Sequence, residues 1–438
     1  MRTRLTPPTS IGSQQSRGRR QLRASTGLAA MLALVGVLAV GPAGTSAAPG
    51  DNAVVHWSGV AASAITVGRA PASSSVLGGM VHGAMYDAVA AVEGGLEPFA
   101  TDLTPSPGAS ADAAVATAAK NVLVARVQGQ AAAVETAYTA YMGLIPEGAA
   151  KEAGTAVGAA AAAGMLAMRT GDHFDDVVPY VQPPTGPGVF EPIAATPVVD
   201  PKLAFVTPFT YDSPSDYRPR GPLELKTGRY AKDVAEVQAY GRIDSSVRSA
   251  AQTETARFHT EQTFFQFNRT LRELANARGL DLRESARLLG YVNIATADTM
   301  IACWEAKYHY YFWRPNHAIQ RADTDGNKAT SPDTTWLPLI TGNHPEYPSG
   351  HSCFTGAVTE SLRNYFGTKH VELVISSTAA GAGPPRTYEN LDELVADVEN
   401  ARVWGGLHYR TTMTESAKHF PQIARDVGRK YFLDGAGN

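Results

Sequence analysis

Residues 304–315 read Trp304-Glu-Ala-Lys307-Tyr308-His-Tyr-Tyr311-Phe312-Trp313-Arg314-Pro315, two cations set among aromatic rings. Apolar residues upstream of this stretch recur at helical spacing, which predicts a helix from Leu282 to about Arg314. Seven residues make nearly two turns, so Lys307 and Arg314 are expected on one helix face. Pro315 disfavours helical geometry at Arg314 and is expected to end the helix there. A cation packed against rings is expected to be partly buried and to need a partner. The plainer alternative is a pair of surface cations.

Helical spacing extends in both directions. Upstream it covers Asp233 to Tyr240 and Ser245 to Asn276; downstream it covers Ser349 to Tyr365, Leu391 to Val403 and Thr412 to Phe432, with a bend expected at Pro421. Ala322 to Asn343 is loop-like. Asn52 to about Gly171 is Ala-rich and predicts four or five helices. Within it, Ala149 to Met168 reads as closely packed helix, because Lys151 and Glu152 open it and Ala and Gly carry little hydrophobicity. Residues 174–230 hold 11 of the chain's 28 prolines, a density that forbids long helices and points to a crossing loop or lid. The expected fold is all-α, two four-helix-bundle-like halves with an irregular Pro-rich crossing. The expected divisions are 1–47, 48–173, 174–230 and 231–438.

The first division differs in charge. The chain has 438 residues and a formal charge of -3, yet six arginines (Arg2, Arg4, Arg17, Arg19, Arg20, Arg23) precede the first acidic residue, Asp51. An apolar run from about Leu28 to Val40 and the small-residue site Thr45-Ser46-Ala47 follow, as in an export signal. Arg19-Arg20-Gln21-Leu22 resembles a twin-arginine signal, and general secretion stays open. Thirteen apolar residues are short for a membrane span. Without residues 1–47 the chain keeps 32 basic against 41 acidic residues, a net -9. The expected mature protein is acidic, secreted and free of a stable membrane anchor, and that charge argues against a nucleic-acid partner. Its two cysteines, Cys303 and Cys353, exclude a disulfide scaffold and a multi-cysteine zinc site. One bridge or two buried thiols both remain open.

Two further motifs carry chemistry. Pro348-Ser349-Gly350-His351 opens a helix, whose free amides bind anions while the serine adds a donor. The helix dipole there disfavours cationic His351, leaving it able to exchange a proton near neutral pH. Arg402-Val-Trp-Gly405-Gly406-Leu-His408 would put its cation and histidine on different sides of a continuous helix; Gly405-Gly406 is expected to end the helix and turn His408 back. Three cations, a helix-start nest and two histidines, with no carboxylate in the motif positions, suit a tetrahedral oxyanion better than a divalent metal.

Together these strings resemble the vanadium-dependent haloperoxidases and type 2 phosphatidic acid phosphatases, which share K-x6-R-P, P-S-G-H and S-R-x5-H in this order. The similarity covers the motifs and, more loosely, residues 230–435; the Trp304 to Trp313 setting looks more like the haloperoxidase branch. It implies vanadate as cofactor, with His408 the ligand to vanadium and Lys307, Arg314, Arg402, Ser349 and the Gly350 amide on its oxygens. It implies His351 as acid–base residue and Lys307 polarising bound peroxide, with hydrogen peroxide, halide and a small organic acceptor as partners. In the phosphatase branch His408 would instead be the nucleophile, forming a phosphohistidine, and His351 the acid protonating the leaving alcohol.

The chain departs from the family pattern in two places. Ala401 replaces the usual serine before Arg402, and Thr412 stands where many members carry an aspartate that helps set the site; Thr412 is expected to cap a helix with Glu415 in a capping box. These departures leave a non-catalytic oxyanion-binding protein as a third reading. His344 occupies a position where the family places a halide-tuning aromatic or histidine, and histidine looks more like bromoperoxidases than chloroperoxidases. Read from residues alone, it is equally a loop histidine bonding backbone beside Pro345. A homodimer through apolar helix faces is open.

Overall fold

The computed structural model describes residues 51–193 and 197–433, so the expected export leader lies outside the described residues. Five helices fill the N-terminal part: α1 (Ala53–Thr66), α2 (Pro71–Glu93), α3 (Ala111–Arg126), α4 (Ala131–Met142) and α5 (Ala149–Met168). Helix α2 is long and apolar enough to cross a membrane by composition, yet nearly all of it is buried in the core. The small residues of α5 serve close packing. A Cβ at Gly154 would lie 2.2 Å from the Ser110 carbonyl oxygen, and one at Gly158 would lie 2.2 Å from that of Ala114.

The remaining helices are α6 (Gly228–Tyr240), α7 (Ala250–Phe258), α8 (Thr263–Arg278), α9 (Leu282–Tyr310), α10 (Pro315–Gln320), α11 (Gly350–Phe366), α12 (Leu391–Trp404), α13 (Arg410–His419) and α14 (Pro421–Val427). Between α11 and α12 a two-stranded antiparallel hairpin, β1 (Leu373–Ile375) and β2 (Arg386–Tyr388), is the one sheet among the described residues. The two longest helices, α2 and α9, pack along each other, so both halves share one apolar core. Among the described residues between Phe174 and Thr227, only a short 3-10 turn, Pro201–Phe205, interrupts irregular chain.

Three expected elements are corrected. The single helix from Ser245 to Asn276 is two. Ser249 starts α7 with a capping box, and Gln262 caps α8 by accepting from the Phe265 amide, which leaves residues 259–262 as a break. Helix α9 stops at Tyr310 rather than Arg314. Tyr311 adopts a left-handed φ of 48°, and the chain beyond it pairs with the Pro-rich segment: Phe190 N to Tyr311 O at 2.6 Å, Trp313 N to Gly188 O at 3.0 Å. Arg314 is therefore the N-cap of α10 with Pro315 at its first position. Lys307 and Arg314 do not share a helix face. Thr412 is not a cap either, because α13 begins at Arg410 after Tyr409. The expected bend at Pro421 is present between α13 and α14.

Candidate active site

Four turns of chain deliver the motif residues to one cavity of about 450 Å³, lined by Trp304, Arg314, His344, Gly350, His351, Arg402 and His408 among others. Arg314 arrives through the extended link after α9. Gly350 and His351 open α11, whose N-cap Ser349 accepts from the Ser352 amide. Arg402 sits in the last turn of α12. Gly406, at φ 77°, then reverses the chain so that Leu407 N bonds back to Arg402 O at 3.0 Å. A Cβ at Gly406 would lie 2.6 Å from the Gly241 carbonyl oxygen, so the turn needs glycine for space as well as for φ.

His408 is held from both ring nitrogens. Nε2 lies 3.2 Å from Arg314 Nη1, and Nδ1 lies 2.9 Å from Glu346 Oε1. A guanidinium can only donate, so Nε2 carries the lone pair and Nδ1 the proton. Burial, then Arg314, lowers the His408 pKa well below the usual value, which keeps the ring neutral. Glu346, fully buried, also accepts from the Tyr409 amide at 3.1 Å and the Thr412 hydroxyl at 2.9 Å. Burial pushes its carboxyl up to about 7, while Arg314 and Lys307 pull it down.

The cations differ in what they do. Arg314 also donates to the carbonyls of Leu407 (2.7 Å) and His344 (2.9 Å) and to His344 Nδ1 (2.9 Å). Arg402 donates once, from Nη1 to the His259 carbonyl at 2.9 Å, and its buried Nε has no partner among the described residues. Burial lowers Arg314 to about 10 and Arg402 to about 9, and both remain charged at neutral pH. Lys307 does not line the cavity. Its ammonium donates to the carbonyls of Pro345 at 2.9 Å, of Glu346 at 3.1 Å and of Pro348, which uses all three of its protons. In this arrangement Lys307 ties α9 to the loop before α11, and polarising a ligand would require release of one carbonyl. Ser349 is likewise buried behind the cavity wall, its amide bonded to the Ser416 hydroxyl at 3.0 Å.

His351 Nε2 lies 3.1 Å from the His259 carbonyl, so that nitrogen carries the proton and Nδ1 is free to accept. Burial, then Arg402, lowers its pKa well below the usual value. His344 Nδ1, bare because it accepts from Arg314, has no proton to give the Pro345 carbonyl 3.2 Å away, and the ring stands 5.3 Å from that of Trp304. Glu346 is the functional residue that sequence reasoning missed. The available signal was a glutamate placed between Pro345 and Pro348, just ahead of the second motif, in a chain lacking the expected aspartate at Thr412.

The cavity's own chemistry tests whether an oxyanion fits. Among the described residues, two buried guanidiniums and a helix start line it, no Asp or Glu does, and one guanidinium nitrogen is unpartnered. A neutral imidazole presents a lone pair beside them. Among the described residues no cluster of three or more His, Cys, Asp or Glu is arranged to hold a metal cation. The donor set fits a tetrahedral oxyanion, which the two guanidiniums and the helix start would hold by its oxygens beside the His408 imidazole.

Residues 287–432 match the family model described as the VCPO second helical-bundle domain. That stretch is about a third of the chain, and over it the protein is similar to a vanadium chloroperoxidase helical-bundle domain. A stretch of 105 residues is 32% identical to the vanadium chloroperoxidase of Curvularia inaequalis, covering 22% of this chain and only 16% of that enzyme. The fold is similar to that of a bacterial vanadium-dependent iodoperoxidase, with a TM-score of 0.72 at 21% identity over 87% of this chain and 97% of that one. A holo-type bacterial vanadium-dependent chloroperoxidase superposes with a TM-score of 0.68 at 18% identity, over 82% and 92% of the two chains.

Proposed function

We propose that this protein is a secreted vanadate-dependent haloperoxidase that oxidises halide with hydrogen peroxide to a hypohalous-acid-like species. The observation that carries the proposal is the His408 Nε2 lone pair in a cavity with two buried guanidiniums and no lining carboxylate. Bound vanadate would supply Lewis-acid activation of peroxide without changing its own oxidation level. The chain's residues do the rest. Arg314 and Arg402 neutralise and orient the anion, with the unpartnered Arg402 Nε the donor still free to do so. The Gly350 amide closes the helix-start contact. His351, neutral and protonated on Nε2, can take a proton at Nδ1 from incoming peroxide.

His344, beside Trp304 and Arg314, supports bromide ahead of chloride as the preferred halide. Ile193, Pro197, Val199 and Met300 form an apolar side of the same cavity, suited to a small organic acceptor. Residues 1–47 would direct export.

The test is to purify the protein, add orthovanadate, and follow peroxide-dependent bromination of a phenolic dye beside hydrolysis of a phosphate monoester. Vanadate-dependent bromination is expected. Phosphate-ester hydrolysis inhibited by vanadate, with no turnover of any halide, would transfer the assignment to a secreted acid phosphatase. Tight vanadate binding with neither activity would leave an oxyanion-binding protein.

A further inference from the structure

We infer that Glu346 is the positioning residue that fixes the His408 tautomer, and that Thr412 has become the clamp for this carboxylate instead of its source. The inference rests on His408 meeting the oxyanion through Nε2, as proposed above. It starts from an apparent deficit. Position 412, four residues after His408 and in the first turn of α13, carries no acid. With nothing on Nδ1, the tautomer with a bare Nε2, which alone can bind an electrophilic centre in the cavity, would rest on the 3.2 Å Arg314 contact alone and would lose that support whenever the guanidinium turns to an anion.

The acid comes from a different part of the chain. Glu346 reaches His408 from the loop before α11, 62 residues away in sequence, with Oε1 at 2.9 Å from Nδ1. Three contacts aim that oxygen pair: the Tyr409 amide donates to Oε1 and the Thr412 hydroxyl to Oε2, while the Glu346 backbone amide donates to the Phe312 carbonyl at 2.8 Å. Thr412, in the first turn of α13, thus occupies the position of the missing aspartate and grips the replacement. Both side chains are buried, so no water competes for these contacts. The same loop gives Lys307 its three carbonyl partners, including that of Glu346 itself. Lys307 therefore holds the peptide that carries the carboxylate.

The test reads tautomer and binding, not turnover alone. In wild-type protein free of vanadate, histidine 15N shifts are expected to show His408 protonated at Nδ1 and bare at Nε2. Glu346→Gln keeps a carbonyl acceptor and should keep that signature with a modest loss of vanadate affinity. Glu346→Met removes the acceptor at similar size; the tautomers should mix and vanadate affinity should fall by roughly 10- to 100-fold, the usual cost of losing such a partner. Thr412→Asp in the Glu346→Met background should restore both. Unchanged tautomer and affinity in Glu346→Met would overturn the inference, and so would lost affinity with the tautomer intact, since that marks a merely structural role. Failure of wild-type protein to bind vanadate at all would instead count against the function proposed above, because the tautomer is read without it.

Discussion

At the scale of single residues, the two histidines of the site should fail differently when removed. His408→Ala deletes the ring nitrogen proposed to hold vanadium, so vanadate affinity should collapse by orders of magnitude. His351→Ala leaves both guanidiniums in place; anion binding should persist within about tenfold while the rate falls by roughly 10²- to 10⁴-fold, the usual range for a lost acid–base group. Equilibrium titration of vanadate alongside steady-state bromination separates the two losses. The motifs made these histidines legible, because a helix start and a glycine turn fix local geometry within a few residues. Glu346 was harder to read, since its contact with His408 closes across 62 residues and depends on how two loops meet. Thr412 was misread for a related reason. Thr and Glu three residues apart form a capping box only if the helix begins there, and α13 begins two residues earlier.

Elements were legible where apolar spacing alone decides them, as in α2, α9 and α11, and less so where a partner segment sets the end. Helix α9 stops early because residues 311–313 pair with residues 188–190, and nothing local to Lys307–Arg314 announces that. The Pro-rich segment is stapled to α9 a second time. Asp298, fully buried, accepts from the amides of Phe209 (2.6 Å) and Thr210 (3.1 Å) and from the Thr210 hydroxyl (2.6 Å). Burial pushes its pKa up to about 6, against the pull of those donors and of Arg169. A folded value above the unfolded one means that the native state binds the extra proton between about pH 4 and 6. This contribution is full below the unfolded value and is lost as pH rises through about 6. Asp298→Asn should destabilise the protein at every pH, since its amide cannot accept all three bonds, by roughly 1–3 kcal/mol. The gap between wild type and variant should narrow as pH rises from 4 to 7. Urea unfolding of both proteins at four pH values measures it, and a gap that widens would contradict the assigned direction.

At the scale of the whole molecule, the near-neutral formal charge combines a basic first 47 residues with an acidic remainder, and three of the buried cations of that remainder, Lys307, Arg314 and Arg402, lie at or beside the site. One covalent link joins the helices that carry that site: Cys303 on α9, four residues before Lys307, is bonded to Cys353 on α11, two residues after His351. Sequence left bridge and free thiols equally open, because pairing depends on two helices meeting and not on spacing along the chain. Such a bond persists in an oxidising compartment, which accords with the export proposed for residues 1–47. It closes a loop of 50 residues, for which chain entropy gives about 4 kcal/mol of stabilisation, acting mainly on the unfolded state. Denatured protein should show no free thiol without reductant and two with it. The double variant Cys303→Ala, Cys353→Ala should unfold at clearly lower denaturant, and reductant present during unfolding should bring wild type close to it. The variant's vanadate affinity separates the two roles of the link. If the bridge acts on the unfolded chain alone, affinity at low temperature, where both proteins are folded, stays within about twofold of wild type. A larger loss would show that the bridge also sets the distance between α9 and α11, and so the seat of the Gly350 nest against Trp304, whose ring would lie 2.9 Å from a Cβ at that glycine.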